Sequence, residues 1–529
     1  LFNTQRIVVV AGALFFILLS FQNCSNQQFS QFELSSEVPK LQCRETTAEE
    51  LKPKLKWDWF ASLDKTTPGN FANFSQVMAT PVVRDLNNDG IPEVVFTTWS
   101  LEPTDRAPGL SLTIAAYGIN GVLRIVDGQT GRTLKSIGDL AIAPMATGNP
   151  GLVDVDGDGL FEIVYIHYSG TKIIALNHDG SLRWAFGPVK VGTSAEVSSF
   201  LDPATGQRRI LADNLILKEN ASKVAELVAT AGAAGSSTQF AFPLKNASDL
   251  SIVRSTGVYA STGALKFNLP YWGYSAAADV DEMRPGFEVV GSGGGRLWMV
   301  DSTGQLLFDR DLKANNSLLC PGGSVGGGPP TIGDFDGDPS SVEIAMATGR
   351  YLTVFNSQGV LIDQAVTQDC SSLATGISSF DFNGDKKPEI IYADEEYLRI
   401  FEFRGGKLTE VHREVNPSGT LLEYPVVVDV DGNGSSELVV ASNNYAVGGF
   451  YQESGEVGDG LRALNVTGVR AFESSNQAWM QTRATWPQSS YSPLMDASAS
   501  ELTKIFNGYL GKTFRRNSQL SEYEAECVP

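Results

Sequence analysis

Asp154-Val-Asp156-Gly-Asp158-Gly-Leu160-Phe-Glu162 lies between the apolar runs PGLV and EIVYI. Related stretches begin at Asp85 (DLNNDGIPE), Asp279 (DVDEMRPGFE), Asp334 (DFDGDPSSVE), Asp381 (DFNGDKKPE) and Asp429 (DVDGNGSSE). Oxygen side chains at positions 1, 3 and 5, a turn glycine at 6 and a carboxylate at 9 suit a hard cation that takes six to eight oxygens at about 2.3–2.6 Å. A single copy also admits a reading as an acidic turn whose carboxylates cap backbone amides. Six copies in register are different, because three or four carboxylates in one turn repel unless a cation sits among them.

Spacing indicates the body that carries these loops. The last three steps between first Asp residues are 55, 47 and 48 residues, one four-stranded propeller blade each. The step from 154 to 279 is too long for one blade, and SSFLDPATGQRRILAD within it places a degenerate loop at Asp202. Seven units are therefore expected. In each, an apolar strand (TPVVRD, PGLVDV, PPTIGDF, YPVVVDV) enters the loop and a β-branched strand (EVVF, EIVY, EIAMA, ELVVA) leaves it. A strand pair follows, closed by Thr-Gly, Asp-Gly or Gln-Gly, which supply the positive φ that tight hairpins need. The fold class is all-β, a seven-bladed β-propeller with the Asp loops between first and second strands.

The pattern resembles the FG-GAP (integrin α-type, VCBS-like) repeat, and the chain resembles a bacterial FG-GAP propeller over roughly residues 57–517. Supporting stretches are GGGPPTIGDFDGD, QDCSS followed by GISSFDFNGD, and WMQTRATWPQSSYS. The resemblance implies Ca²⁺ in the loops, at about three to five sites. Its ligands would be Asp85, Asn87, Asp89, Glu93 and the Ile91 carbonyl; Asp154, Asp156, Asp158, Glu162 and the Leu160 carbonyl; and Asp429, Asp431, Asn433, Glu437 and the Ser435 carbonyl. At 381–389 they would be Asp381, Asn383, Asp385, Glu389 and the Lys387 carbonyl, with Lys386 in the turn position usually held by Gly. At 334–343 they would be Asp334, Asp336, Asp338 and Glu343, where Pro339 replaces the turn glycine and one residue is inserted. Met283 and Arg284 occupy positions 5 and 6 of the 279 loop, which is expected to close without metal.

The formal net charge is −20, but roughly a third of the 60 acidic residues lie in the six loops. No basic stripe appears, so nucleic acid is not an expected partner. Arg6 precedes an apolar run from Ile7 to Leu19 that is short for a bilayer span and reads as a secretory signal. Cys24 sits where a bacterial lipoprotein signal places its acylated cysteine, although Asn23 stands where a small residue is usual. By that resemblance Ser25 favours outer-membrane sorting, periplasmic or surface-facing. Residues 1–24 are thus read as a signal, 25–56 as a polar tether, 57–517 as the propeller and 518–529 as a tail. In an exported chain, Cys320 and Cys370 are expected to bridge neighbouring blades and Cys43 and Cys527 to tie the two ends, the alternative being free buried thiols. Trp57-Asp58-Trp59-Phe60 resembles an outer strand and is expected to pair with the last blade.

The second-to-third-strand turns and blade connectors fall on the face opposite the Asp loops. There the insertions 98–120, 214–250, 311–328 and 443–460 are conspicuous, and loops on a rigid scaffold are where binding usually resides. Trp99, Trp298, Tyr445, Phe450 and Tyr451 are the candidate ligand-binding aromatics; Trp479 and Trp486 read as core or closure residues. With only His167, His178 and His412 and no nucleophile–base arrangement, no enzymatic activity is expected. The leading expectation is a calcium-stabilised, membrane-anchored binding or adhesion module for protein or glycan. A polysaccharide lyase-like enzyme and an envelope scaffold are the alternatives.

Overall fold

Every Asp loop joins the first two strands of an antiparallel blade, and in this computed structural model the described residues form eight blades, not seven: seven four-stranded sheets and one, blade 1, with the short strand Phe74–Gln76 added as a fifth. The structure describes residues 51–491 without 109, 111–118, 192–195, 203, 228–238, 247, 255, 282, 339, 371, 374, 445–465 and 476. Cys24, Cys43, Cys527, Tyr445, Phe450 and Tyr451 lie outside the described residues. So do the signal, the C-terminal tail and most of the tether.

In chain order the first strands of the blades are Val82–Arg84, Gly151–Val153, Val197–Asp202, Gln239–Pro243, Tyr274–Ala278, Thr331–Gly333, Ile377–Phe380 and Val426–Val428. Blade 4 is the missed unit. It runs through Gln239–Pro243, Leu250–Arg254, Gly257–Ala260 and Leu265–Asn268, inside the gap between Asp154 and Asp279. Its first turn is Lys245-Asn246-Ala-Ser248-Asp249, closed by the Asn246 side chain accepting from Ser248 N (3.0 Å). A turn that short holds no DxDxDG pattern, so a count based on the loops passes over it. The stretch 214–250 is accordingly not a loop insertion: it contains the last two strands of blade 3 and the first of blade 4.

Burial falls outward along each sheet. The second strands Glu93–Ser100, Glu162–Ile166, Glu343–Ala347 and Glu389–Ala393 are buried at every position, while the fourth strands Leu182–Phe186 and Leu265–Asn268 hold none that is buried. Inner strands are covered on both faces by neighbouring blades, which is why they read as continuous apolar runs rather than alternating ones.

Closure uses both ends of the propeller. Pro53–Asp58 pairs antiparallel with Gly468–Ser474 as the fourth strand of blade 8, so the outer-strand reading holds for Trp57 and Asp58, in a strand that begins at Pro53, whereas Trp59 and Phe60 open the short helix Trp59–Ser62 capped by Asp58. Trp57 Nε1 donates to Gly128 O (2.7 Å) and Trp59 Nε1 to Thr133 Oγ1 (2.9 Å), both in blade 1. The chain after blade 8 then runs along the inner strands. Met480 N donates to Phe382 O (2.9 Å), Asp429 N to Arg483 O (3.2 Å), Trp486 N to Val83 O (2.7 Å) and Leu152 N to Pro487 O (2.8 Å). Ser199 N donates to the Gln488 side chain (2.9 Å) and Ser490 N to Glu196 Oε1 (2.8 Å). Phe382 and Asp429 follow the ends of first strands and Glu196 precedes the start of one. This segment therefore passes from the Asp-loop face to the opposite face across blades 7, 8, 1, 2 and 3.

Candidate functional site

The Asp loops share one frame. The closing glutamate of all six, at position 9 or, in the 279 and 334 loops, position 10, is buried, and its Oε2 accepts the backbone N–H of position 2: Leu86, Val155, Val280, Phe335, Phe382 and Val430 donate at 2.8–3.0 Å to Glu93, Glu162, Glu288, Glu343, Glu389 and Glu437. The position-1 aspartate accepts from the turn, as Asp381 does from Gly384 N (2.7 Å) and Lys386 N (2.9 Å). Lys386 takes φ +69°, the left-handed conformation that the missing glycine would have adopted freely. Part of the acidic-turn reading is thus real, since these carboxylates do cap backbone amides.

The remaining glutamate oxygen faces position 3, and here the loops divide. Where position 3 is Asn, its amide donates directly: Asn87 Nδ2 to Glu93 Oε1 (3.2 Å) and Asn383 Nδ2 to Glu389 Oε1 (2.8 Å). Where it is Asp, three carboxylates converge. Asp154/Asp156/Glu162, Asp334/Asp336/Glu343 and Asp429/Asp431/Glu437 each bring oxygens within 4.8 Å of one another, an all-oxygen set that fits a hard cation. In the 279 loop Arg284 Nε pairs with Asp281 (3.0 Å), and the loop closes on its own arginine. At 334–343 Asp338 accepts from Ser340 N (3.0 Å) and Ser340 Oγ (2.7 Å). Asp89, Asp158 and Asp385 accept from the position-7 N–H of Ile91, Leu160 and Lys387, and Asn433 from that of Ser435, all at 2.7–2.9 Å.

Burial pushes the six glutamates up, Glu93, Glu162, Glu288 and Glu343 to about 7 and Glu437 to about 8, with Glu389 also raised. Neighbouring loop aspartates add to the effect, the signature of clustered carboxylates that a cation would relieve.

On the opposite face two of the expected aromatics are not available. Trp99 and Trp298 are fully buried. Trp99 packs with Met78, Tyr274 and Leu422. Trp298 lies across from Gly291, where a Cβ would stand 1.9 Å from its ring. Neither can receive a ligand, because the neighbouring strands and blades cover them. Cys320 and Cys370 form a disulfide joining the connectors on either side of blade 6.

Among the described residues, the aromatics most exposed here are Tyr271 (38% exposed) and Trp272 (37%), in the Pro270–Gly273 connector between blades 4 and 5. Sequence reading missed them because it missed blade 4, and with it the connector; the YWGY string was the available signal. Tyr271 Oη donates to Asp309 Oδ2 (2.6 Å), and Arg296 Nε donates to Asp309 Oδ1 (2.8 Å). Burial pushes Asp309 upward, but the hydrogen bonds from Arg296 and Tyr271 outweigh it and hold the carboxyl below its ordinary range.

Residues 381–440 match the FG-GAP-like repeat family. No curated protein sequence matches the chain significantly. The solved V. cholerae biofilm matrix protein Bap1 is similar in fold, with 17% identity and a TM-score of 0.64 over 88% of this chain and 98% of that one. A Bacillus licheniformis rhamnogalacturonan lyase (16% identity, TM-score 0.49, 70% of each chain) and the rhamnogalacturonan lyase YesW (16%, 0.48, 75% of this chain and 73% of that one) are also similar. Enzymes among the similar structures overturn the expectation that the chain lacks activity. At these identities the likeness establishes fold and assigns no reaction.

Proposed function

We propose that this propeller, carrying an FG-GAP-like repeat in blade 7 and the start of blade 8, is a calcium-stabilised extracytoplasmic binding module whose ligand is a glycan held on the face opposite the Asp loops. The observation that carries this reading is the Tyr271–Trp272 pair. Large aromatics left in solvent beside a fixed polar group are the informative exception to burial. A ring face offers apolar contact to the C–H face of a sugar. The Asp309 carboxylate and Arg296 guanidinium beside it offer an acceptor and donors to sugar hydroxyls. Calcium enters as the cation that fits the convergent carboxylates, held by the loop residues and stabilising the fold.

The test is a glycan array followed by titration of the best hit into the protein and its Trp272→Ala variant. Binding weakened at least tenfold in the variant supports the reading; a wild type that captures no glycan, or a variant that binds as the wild type does, overturns it. Following the same incubation for unsaturated sugar ends reads whether the ligand is also cleaved.

A further inference from the structure

Each of the eight fourth strands carries one extra residue where its register against the third strand slips. These bulge residues are Leu134, Arg183, Val224, Lys266, Leu307, Ile362, Val411 and Lys56 for blades 1 to 8. A bulge re-aims the side chain it carries. In all three blades where that residue is basic, it reaches the turn between first and second strands. Arg183 bridges Asp156 and Glu162, the latter at 3.1 Å. Lys56 Nζ lies 2.6 Å from Asp431, 2.9 Å from Glu473 and 3.7 Å from Glu437. Lys266 pairs with Asp249 in the metal-less turn of blade 4. In blades 1, 6 and 7 the equivalent residues are Leu134, Ile362 and Val411, and no cation can come from that position.

We propose that Lys56 and Arg183 are resident cations of the blade 8 and blade 2 loops, occupying with a protein charge the place a divalent metal would take between the position-3 aspartate and the position-9 glutamate. This rests on the calcium reading above and divides it: the loops fall into a self-neutralised class and a class that depends on an external ion. Lys56 belongs to the ring-closing strand, so the seam between the two chain ends is held without metal. A metal entering blade 8 must first displace Lys56 and loosen that seam.

The experiment counts calcium ions per full chain by equilibrium dialysis for the wild type, Lys56→Met and Arg183→Met, and melts each protein in calcium and in chelator. Each variant is expected to bind one ion more than the wild type. Lys56→Met is expected to lose several degrees of melting temperature in chelator and recover them in calcium. A variant that binds only the wild-type number overturns the assignment of that side chain. If the wild type binds none while each variant binds one, the resident-cation assignment stands and the calcium reading of the other loops falls. If Lys56→Met does not fold, Arg183→Met, away from the seam, still gives a count that upholds or overturns the proposal.

Discussion

Glu423 is buried in the connector between blades 7 and 8, where its carboxylate accepts from Ser418 Oγ and from Leu421 N at 2.8 Å. Burial pushes it up from 4.5 to about 7, with the nearby Asp369 charge adding to the rise. A carboxyl whose folded pKa is raised contributes stability that is complete below its unfolded pKa and lost as pH rises through about 7, here up to ~3 kcal/mol. Glu423→Gln removes that loss. Its melting temperature relative to the wild type is expected to be several degrees higher at pH 8 than at pH 5, and a difference that stays constant with pH would show that Glu423 does not titrate in this window. Gly291 makes a different demand, since a methyl there meets the Trp298 ring. Gly291→Ala is expected to cost about 1–3 kcal/mol, read as a lower midpoint in chemical denaturation; an unchanged midpoint would mean that the ring moves freely. Single residues of this kind were the least legible part of the sequence. Trp298 and Trp99 stand among polar and glycine-rich neighbours, and only the blade packed against them decides that they are buried, whereas Tyr271 and Trp272 look no more exposed in the sequence than those two.

At the scale of the element, most of each blade could be read directly. Apolar strand, Asp loop, β-branched strand and glycine hairpin recur because inner strands are covered on both faces and the turns need positive φ. Blade 4 escaped for an equally physical reason, namely that a strand pair closed by Asn246 and Ser248 needs no metal and keeps no acidic signature. The bulge in the fourth strand has no sequence mark either, since it is a pairing offset and is filled by Leu, Ile, Val, Lys or Arg alike. The closing strand is the element on which the ring most depends. Removing Pro53–Asp58 leaves Gly468–Ser474 as an unpaired edge, and exposed edges template association. The truncated protein is expected to elute as oligomers in size-exclusion chromatography where the intact one is monomeric at the same concentration. A monomeric truncation product would show that the edge is protected by other means.

In the whole molecule, eight similar blades are joined by contacts that are not all alike. Blades 1 and 8 meet through Trp57, Trp59 and the first-made strand, the connectors flanking blade 6 are joined by a disulfide, and the segment from Trp479 to Tyr491 is laid across five inner strands. That last arrangement gives the protein a direction under load. Tension on the chain beyond Tyr491 is shared among backbone bonds to blades 7, 8, 1 and 2 and bonds through side chains to blade 3, anchored to five different sheets. Tension on the chain ahead of Pro53 falls on the one strand Pro53–Asp58, held by its pairing with Gly468–Ser474 and by the side-chain bonds of Lys56, Trp57 and Trp59. Pulled from its two ends, the ring yields first at the strand that closes it.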